Sequence, residues 1–296
     1  MSETSTNLRQ ANAKATVMGI LSEKNLEVQT EDGVQVISGS LTFKTSDVNF
    51  VKFSVKVKEI TKEKKPNSNF RGIQTVMNEY HSIAEVGEEE ATKVKVNGDI
   101  NLYRSSQTGK EVVSYKSNFF NRLKEGEEYT PKAEFAVETF IYSIVPEVDS
   151  EGSETGRIIV NGWTPTYNGI EPVALVADQE VGSAIESTFT VDQTVEFYGD
   201  IINNRVETIT EIPVAIGKPR VERKTTYKND LLITGASEAY EEGVTPEKPY
   251  EAEVIKKAIQ VRDEKIEEDK AKAQNKSQQK PAQKPSGAAH GRSLGF

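Results

Sequence analysis

The chain has 296 residues, a net charge of −9, 35% hydrophobic and 28% charged residues, no cysteine and two histidines. Length alone suggests about two domains. The absent cysteines exclude disulfides, thiolate zinc sites, iron–sulfur clusters and a cysteine nucleophile, and two histidines exclude a poly-histidine metal centre.

Residues 1–14 are polar, lack an apolar signal core and read as a disordered lead-in. Strand-like alternation then fills 16–29 and 34–45, broken by the turn signal Glu31-Asp32-Gly33. Val51, Phe53, Val55 and Val57 alternate with Lys52, Ser54, Lys56 and Lys58, so period two puts valines on one face and lysines on the other. A basic loop over 62–69 holds Lys64 and Lys65 and leads to Phe70 and Arg71. Ile73, Val76, Met77 and Tyr80 recur at helical spacing, and Gly87 with Glu88-Glu89-Glu90 ends that helix. Strand alternation resumes at Val94 and Val96, passes a turn over 105–109, and continues over 111–120.

A charged linker over 124–131 opens a second block over 132–236. It contains an apolar strand at 135–145, an acidic loop at 149–156, strands at 157–163 and 173–176, and a short helix marked by Val181, Ala184 and Ile185. Strands at 195–201, 207–216 and 219–227 complete it, with Pro213 and Pro219 implying edges or bulges. Trp163 and Tyr167 sit among glycines and Pro165, which places them in or beside a loop.

The two blocks read as a degenerate repeat. Its anchor is Val94-Lys95-Val96-Asn97-Gly98-Asp99-Ile100-Asn101 against Val195-Glu196-Phe197-Tyr198-Gly199-Asp200-Ile201-Ile202, and Lys14-Ala15 and Lys132-Ala133 open the blocks similarly. An acidic segment follows over 237–272, with eleven acids and five bases from Glu238 to Asp269 and a helix over 250–272. After Asp269 there are no acids; residues 273–296 are low-complexity, read as disordered, and end in Phe296.

Five short strands with one helix between the third and fourth is the order of an OB-fold. Over 94–123, V-K-V-N-G-D-I-N-L-Y-R-S-S-Q-T-G-K-E-V-V-S-Y-K-S-N-F-F-N-R-L, the first block resembles the single-stranded DNA-binding protein family. The resemblance implies an all-β, β-barrel fold with minor α: two tandem OB-like domains at 15–123 and 132–236, then the acidic helix and the tail. By analogy, the tandem layout looks phage-encoded. Family members carry acids before a terminal phenylalanine that docks partners; here Arg292 stands nearby instead.

Sequence-independent binding of single strands needs cations for phosphates and aromatics for bases. The candidates are Lys52, Lys56, Lys58, Lys64, Lys65, Phe70, Arg71, Tyr103, Arg104, Tyr115 and Lys116 in the first block. Trp163, Tyr167, Arg220 and Arg223 are those of the second, the last two in a patch with Lys224, Tyr227 and Lys228. Lysines opposite an apolar strand face are as commonly a solvated face. No catalytic constellation, phosphate loop, metal site or cofactor motif is present in the sequence.

The expected function is binding and protection of single-stranded DNA, or of RNA, during replication or recombination, without catalysis. Replication or recombination proteins are expected on the acidic helix or tail. No apolar run approaches the roughly 20 residues that span a bilayer, so no membrane partner is expected, and the expected location is the cytoplasm of a bacterial cell or phage-infected host. The alternative is a structural or adaptor protein, for example a virion component, that uses β-domains for protein contacts.

Overall fold

The computed structural model describes residues 8–106, 108–167, 169–212 and 220–278. They are mostly β-sheet with minor helices. The first half comprises β1 (Ala13–Glu31), β2 (Val34–Lys44), β3 (Phe50–Lys58), α1 (Ser68–Glu79), α2 (Ile83–Val86), β4 (Lys93–Arg104), β5 (Glu111–Lys116) and β6 (Phe120–Arg122). The second comprises β7 (Lys132–Val148), β8 (Glu154–Thr166), β9 (Gly169–Ala177), α3 (Gln179–Thr188), β10 (Thr194–Ile212) and β11 (Arg220–Ala236), and α4 (Ala252–Gln278) follows.

Local chemistry sets these elements. Asp32 and Gly33 both hold positive φ, 51° and 79°, as a two-residue hairpin turn requires. Asn67 caps α1 by accepting from the Asn69 N–H at 3.1 Å, and Asp178 caps α3 by accepting from the Val181 N–H at 2.9 Å. The α1 face of Phe70, Ile73 and Val76 is buried in the same core as Val51, Phe53, Val55 and Val57 of β3.

Strand pairing closes on itself twice. In the first half β1 pairs with β2, β2 with β3, β3 in parallel with β5, β5 with β4, and β4 with β1. In the second half β7, β8, β9, β11 and β10 repeat the same circuit, with β9 and β11 parallel. The helices lie between the third and fourth strands in both. One hydrophobic core runs through both circuits, from Phe43 and Phe53 to Phe197 and Ile233.

The registers match between the halves. Ala15 stands opposite Gly98, and Phe135 opposite Gly199; β1 bulges between Leu21 and Glu23, and β7 between Ile141 and Ser143. This agrees with the anchor alignment but corrects the opening one: Lys14-Ala15 corresponds to Glu134-Phe135, not to Lys132-Ala133. The halves then join through β1 and β7, antiparallel, with Ala15 opposite its own counterpart Phe135. Both anchor glycines let two strands touch. A Cβ on Gly98 would lie 2.6 Å from the Lys116 carbonyl oxygen, and one on Gly199 2.0 Å from that of Leu232.

Several expectations need correction. Residues 8–14 are ordered, because Arg9 pairs with the buried carboxylate of Glu138, and the Asn12 N–H donates to the same group at 3.1 Å. Residues 154–156 belong to β8, and Trp163 lies within that strand, opposite Phe140 and Pro172; the turn is at Tyr167. The segments at 195–201 and 207–212 belong to one long strand, β10, and β11 runs on to Ala236; residues 213–219, with Pro213 and Pro219, lie outside the described residues. Helix α4 continues past Lys272 to Gln278, through alanine, glutamine and lysine that favour helix, with no proline before Pro281. The rest of the tail, with His290, Arg292 and Phe296, lies outside the described residues.

Because a side chain on Gly199 would overlap backbone, Gly199→Ala should cost about 2–3 kcal/mol in denaturant unfolding. An unchanged midpoint would mean that β10 and β11 can part without loss.

Candidate nucleic-acid interface

The alternation of β3 presents Lys52, Ser54, Lys56 and Lys58 outward over buried Val51, Phe53, Val55 and Val57. These lysines are not equivalent. Glu31, at the end of β1, lies 2.7 Å from Lys56 and 3.6 Å from Lys58, and the Lys56 hydrogen bond holds its carboxyl below the usual carboxylate range. Lys52 makes no ion pair among the described residues. The expected stripe of three lysines is thus corrected to one uncommitted cation and two that Glu31 has claimed.

The other candidates divide between surface and core. Lys64 and Lys65 are exposed in the loop after β3, Arg71 is exposed on α1, and Lys116 is exposed on β5. Tyr103 is 41% exposed on β4, while Arg104 pairs with Glu111 at 3.0 Å. Tyr167 is 85% exposed in the turn after β8, and Arg223 is exposed on β11. The side chain of Arg220 lies outside the described residues. Phe70 and Tyr115 are corrections: neither can stack a base as the structure stands. Phe70 is buried by the α1 face. Tyr115 is buried against Phe53, ring centroids 5.7 Å apart, with its hydroxyl at Asn203, and burial pushes its ionisation well above the usual phenol range. Trp163 is half-buried, with the Arg262 guanidinium 5.6 Å from its ring centroid.

A cleft of about 660 Å³ lies between the halves, lined by β3 and β5 on one side and β10 and β11 on the other. Phe50, Lys52, Tyr115, Asn203, Arg205 and Tyr227 are among its walls. The hairpin of β10 and β11 builds the second wall. Along β11 the face of Leu231, Asn229 and Tyr227 passes from core to cleft, Leu231 buried and Tyr227 64% exposed. Arg205 stands opposite Tyr227. Asn49 fixes this hairpin to the first half: its amide donates to the Ile201 carbonyl at 2.9 Å and accepts from the Asn203 N–H at 2.8 Å. The Arg205 N–H adds a 2.7 Å bond to the Val48 carbonyl.

The cleft's charges are unequally matched. Asp230 is held by Arg157 at 2.7 Å and Lys228 at 3.5 Å, and Glu111 by Arg104 at 3.0 Å and Arg262 at 2.8 Å. Arg205, like Lys52, has no ion pair among the described residues. Two uncommitted cations beside Phe50 and Tyr227 can take phosphates and bases together. Sequence reasoning found Lys52 and named Tyr227 in a patch, but missed Phe50, Asn203 and Arg205. One signal for Arg205 was present: carrying the anchor alignment on from Asn101 sets it against Arg104.

The family model described as YorF matches residues 12–272, from the start of β1 into α4. The chain belongs to the YorF family. Among solved structures this YorF chain is similar to the wild-type single-stranded DNA-binding protein from Thermus aquaticus, at 8% identity and a TM-score of 0.46, over 81% of this chain and 98% of that one. A deletion mutant of the same Thermus aquaticus protein gives 10% identity and a TM-score of 0.46, over 81% of this chain and all (100%) of that one. No curated protein matches. Among the described residues no helix is long and apolar enough to cross a membrane.

If Glu31 neutralises two lysines of β3, Glu31→Ala should raise the affinity for an oligonucleotide at low salt and steepen its salt dependence. The same effect is expected in the wild type as pH falls through the depressed Glu31 pKa and the lysines are released. Equal binding by wild type and variant would remove Lys56 and Lys58 from the interface.

Proposed function

We propose that the chain binds single-stranded DNA, without sequence preference and without catalysis, along the cleft between β3–β5 and β10–β11. The observation that carries this reading is the state of the cleft's charges: Lys52 and Arg205 lack ion-pair partners among the described residues, while Glu111 and Asp230 beside them are already matched. A phosphate backbone supplies the missing anions, and Phe50 and Tyr227 supply the stacking that makes such binding indifferent to sequence.

On this reading each pairing circuit is an OB-like barrel, which the strand order and the position of the helices support. The domains are 15–123 and 132–236, joined by 124–131 and followed by the acidic segment 237–272 and the tail. The protein coats and protects strands exposed during replication or recombination, as a phage-like tandem version acting in the cytoplasm of a bacterial cell or an infected host. Replication or recombination proteins are its further partners, through α4 or the tail. Of the sequence candidates, Lys52 belongs to the cleft wall; Lys64, Lys65, Arg71, Tyr103, Lys116, Tyr167 and Arg223 extend the path beyond it.

The test is fluorescence anisotropy of labelled oligo-dT across a salt series, with duplex DNA and single-stranded RNA beside it. Wild type should favour the single strand and weaken with salt. Lys52→Ala with Arg205→Ala should lower affinity about tenfold at low salt and flatten the salt slope by about 0.7 per lost phosphate contact. An unchanged slope in the double variant rejects the cleft as the site.

A further inference from the structure

The two halves are equivalent about an axis through Ala15 and Phe135, yet the two ends of the central cleft are not. The registers match Lys52 with Ala174, Arg205 with Arg104, and Tyr227 with Glu111. One end therefore offers cations and an aromatic ring. At the other, Arg104 is already paired with Glu111, and α4 reaches in.

Ile255 and Ala258 seat α4 on Phe140 and Ile170, the outer side of β7 and β9. Beyond them, Arg262 lies 2.8 Å from Glu111 of the first half and 2.9 Å from Glu171 of the second, with only 11% of its side chain exposed. The same guanidinium stands 5.6 Å from the ring centroid of Trp163, a cation–π contact. Burial raises the Glu171 pKa and the Arg262 hydrogen bond opposes the rise, so this carboxylate depends on its partner. One arginine thus joins both halves and occupies the surroundings of the chain's single tryptophan.

We propose that α4 closes a second nucleotide subsite at this end of the cleft, with Trp163 as its stacking platform and Arg262 as its latch. The proposal rests on the single-strand reading above. The latched guanidinium holds the ring face that a base would use. Release of the latch lets a strand that enters at Lys52 and Arg205 continue across the axis to Trp163, which lengthens the stretch of nucleotides covered by one chain.

Because the chain has one tryptophan, its emission reports this subsite alone. The full-length protein is saturated with labelled oligo-dT at low salt, with anisotropy following binding and intrinsic fluorescence following Trp163. Wild type should bind without quenching. Arg262→Ala and, independently, Glu171→Ala should bind with quenching and cover more nucleotides per chain; both should also gain quenching by acrylamide without DNA. Wild-type emission quenched as far as in the variants overturns the latch, and so does binding by the variants that leaves Trp163 emission unchanged. Absence of any anisotropy change in the wild type overturns the single-strand reading first and this inference with it.

Discussion

The antiparallel pairing of β1 with β7 governs the molecule. Its centre sets Ala15 opposite Phe135, residues that hold the same register position in their own halves. A contact between equivalent positions is what a two-fold relation demands, here within one chain. Once β1 and β7 are joined this way, β3 must approach β10 as β9 approaches β4, and the space left between the halves is the cleft. The Asn49 clamp, which bonds both the Ile201 carbonyl and the Asn203 N–H, holds one side of that arrangement. The counterpart position is Glu171, and there the tie is made through Arg262 instead. The symmetry of the backbone is thus broken by side chains.

An acidic chain can hold a cation-lined cleft because net charge says little about local pairing. Glu31 is claimed by Lys56 and Lys58, Asp230 by Arg157 and Lys228, and Glu111 by Arg104 and Arg262. Much of the remaining acidity lies along 238–269, most of it outside the cleft walls. The few unmatched groups then set the local field, and in the cleft the unmatched groups are positive. The effect is strongest at low ionic strength, since partly exposed charges more than about 10 Å apart are screened at 0.1 M salt.

Much of this was legible in the sequence where the signal is local. The alternation of 51–58, the Asp32-Gly33 turn, the Ile73 and Val76 helix face and the glycine-aspartate anchor all carry their own physics, and each stands where the pattern put it. The failures share one cause. Phe70 and Tyr115 are aromatic residues beside basic ones, a pattern common to stacking platforms and to strand or helix faces turned inward; only tertiary packing tells them apart. Trp163 was set at the end of a strand, beside a loop; cross-strand pairing of Thr164, Pro165 and Thr166 with β9 carries that strand three residues further, against the local preference of glycine and proline. The cleft itself was invisible, because Lys52 and Arg205 lie far apart in sequence and meet only through β1 and β7.

A single strand bound along the cleft must touch both of its walls. Photo-crosslinking of a 4-thiothymidine oligonucleotide to the full-length protein, read by mass spectrometry, tests it directly. Crosslinks are predicted at Phe50 and Tyr227, on opposite walls of the cleft. Crosslinks confined instead to Phe119 and Tyr198, which are exposed outside it, would place the strand away from the cleft.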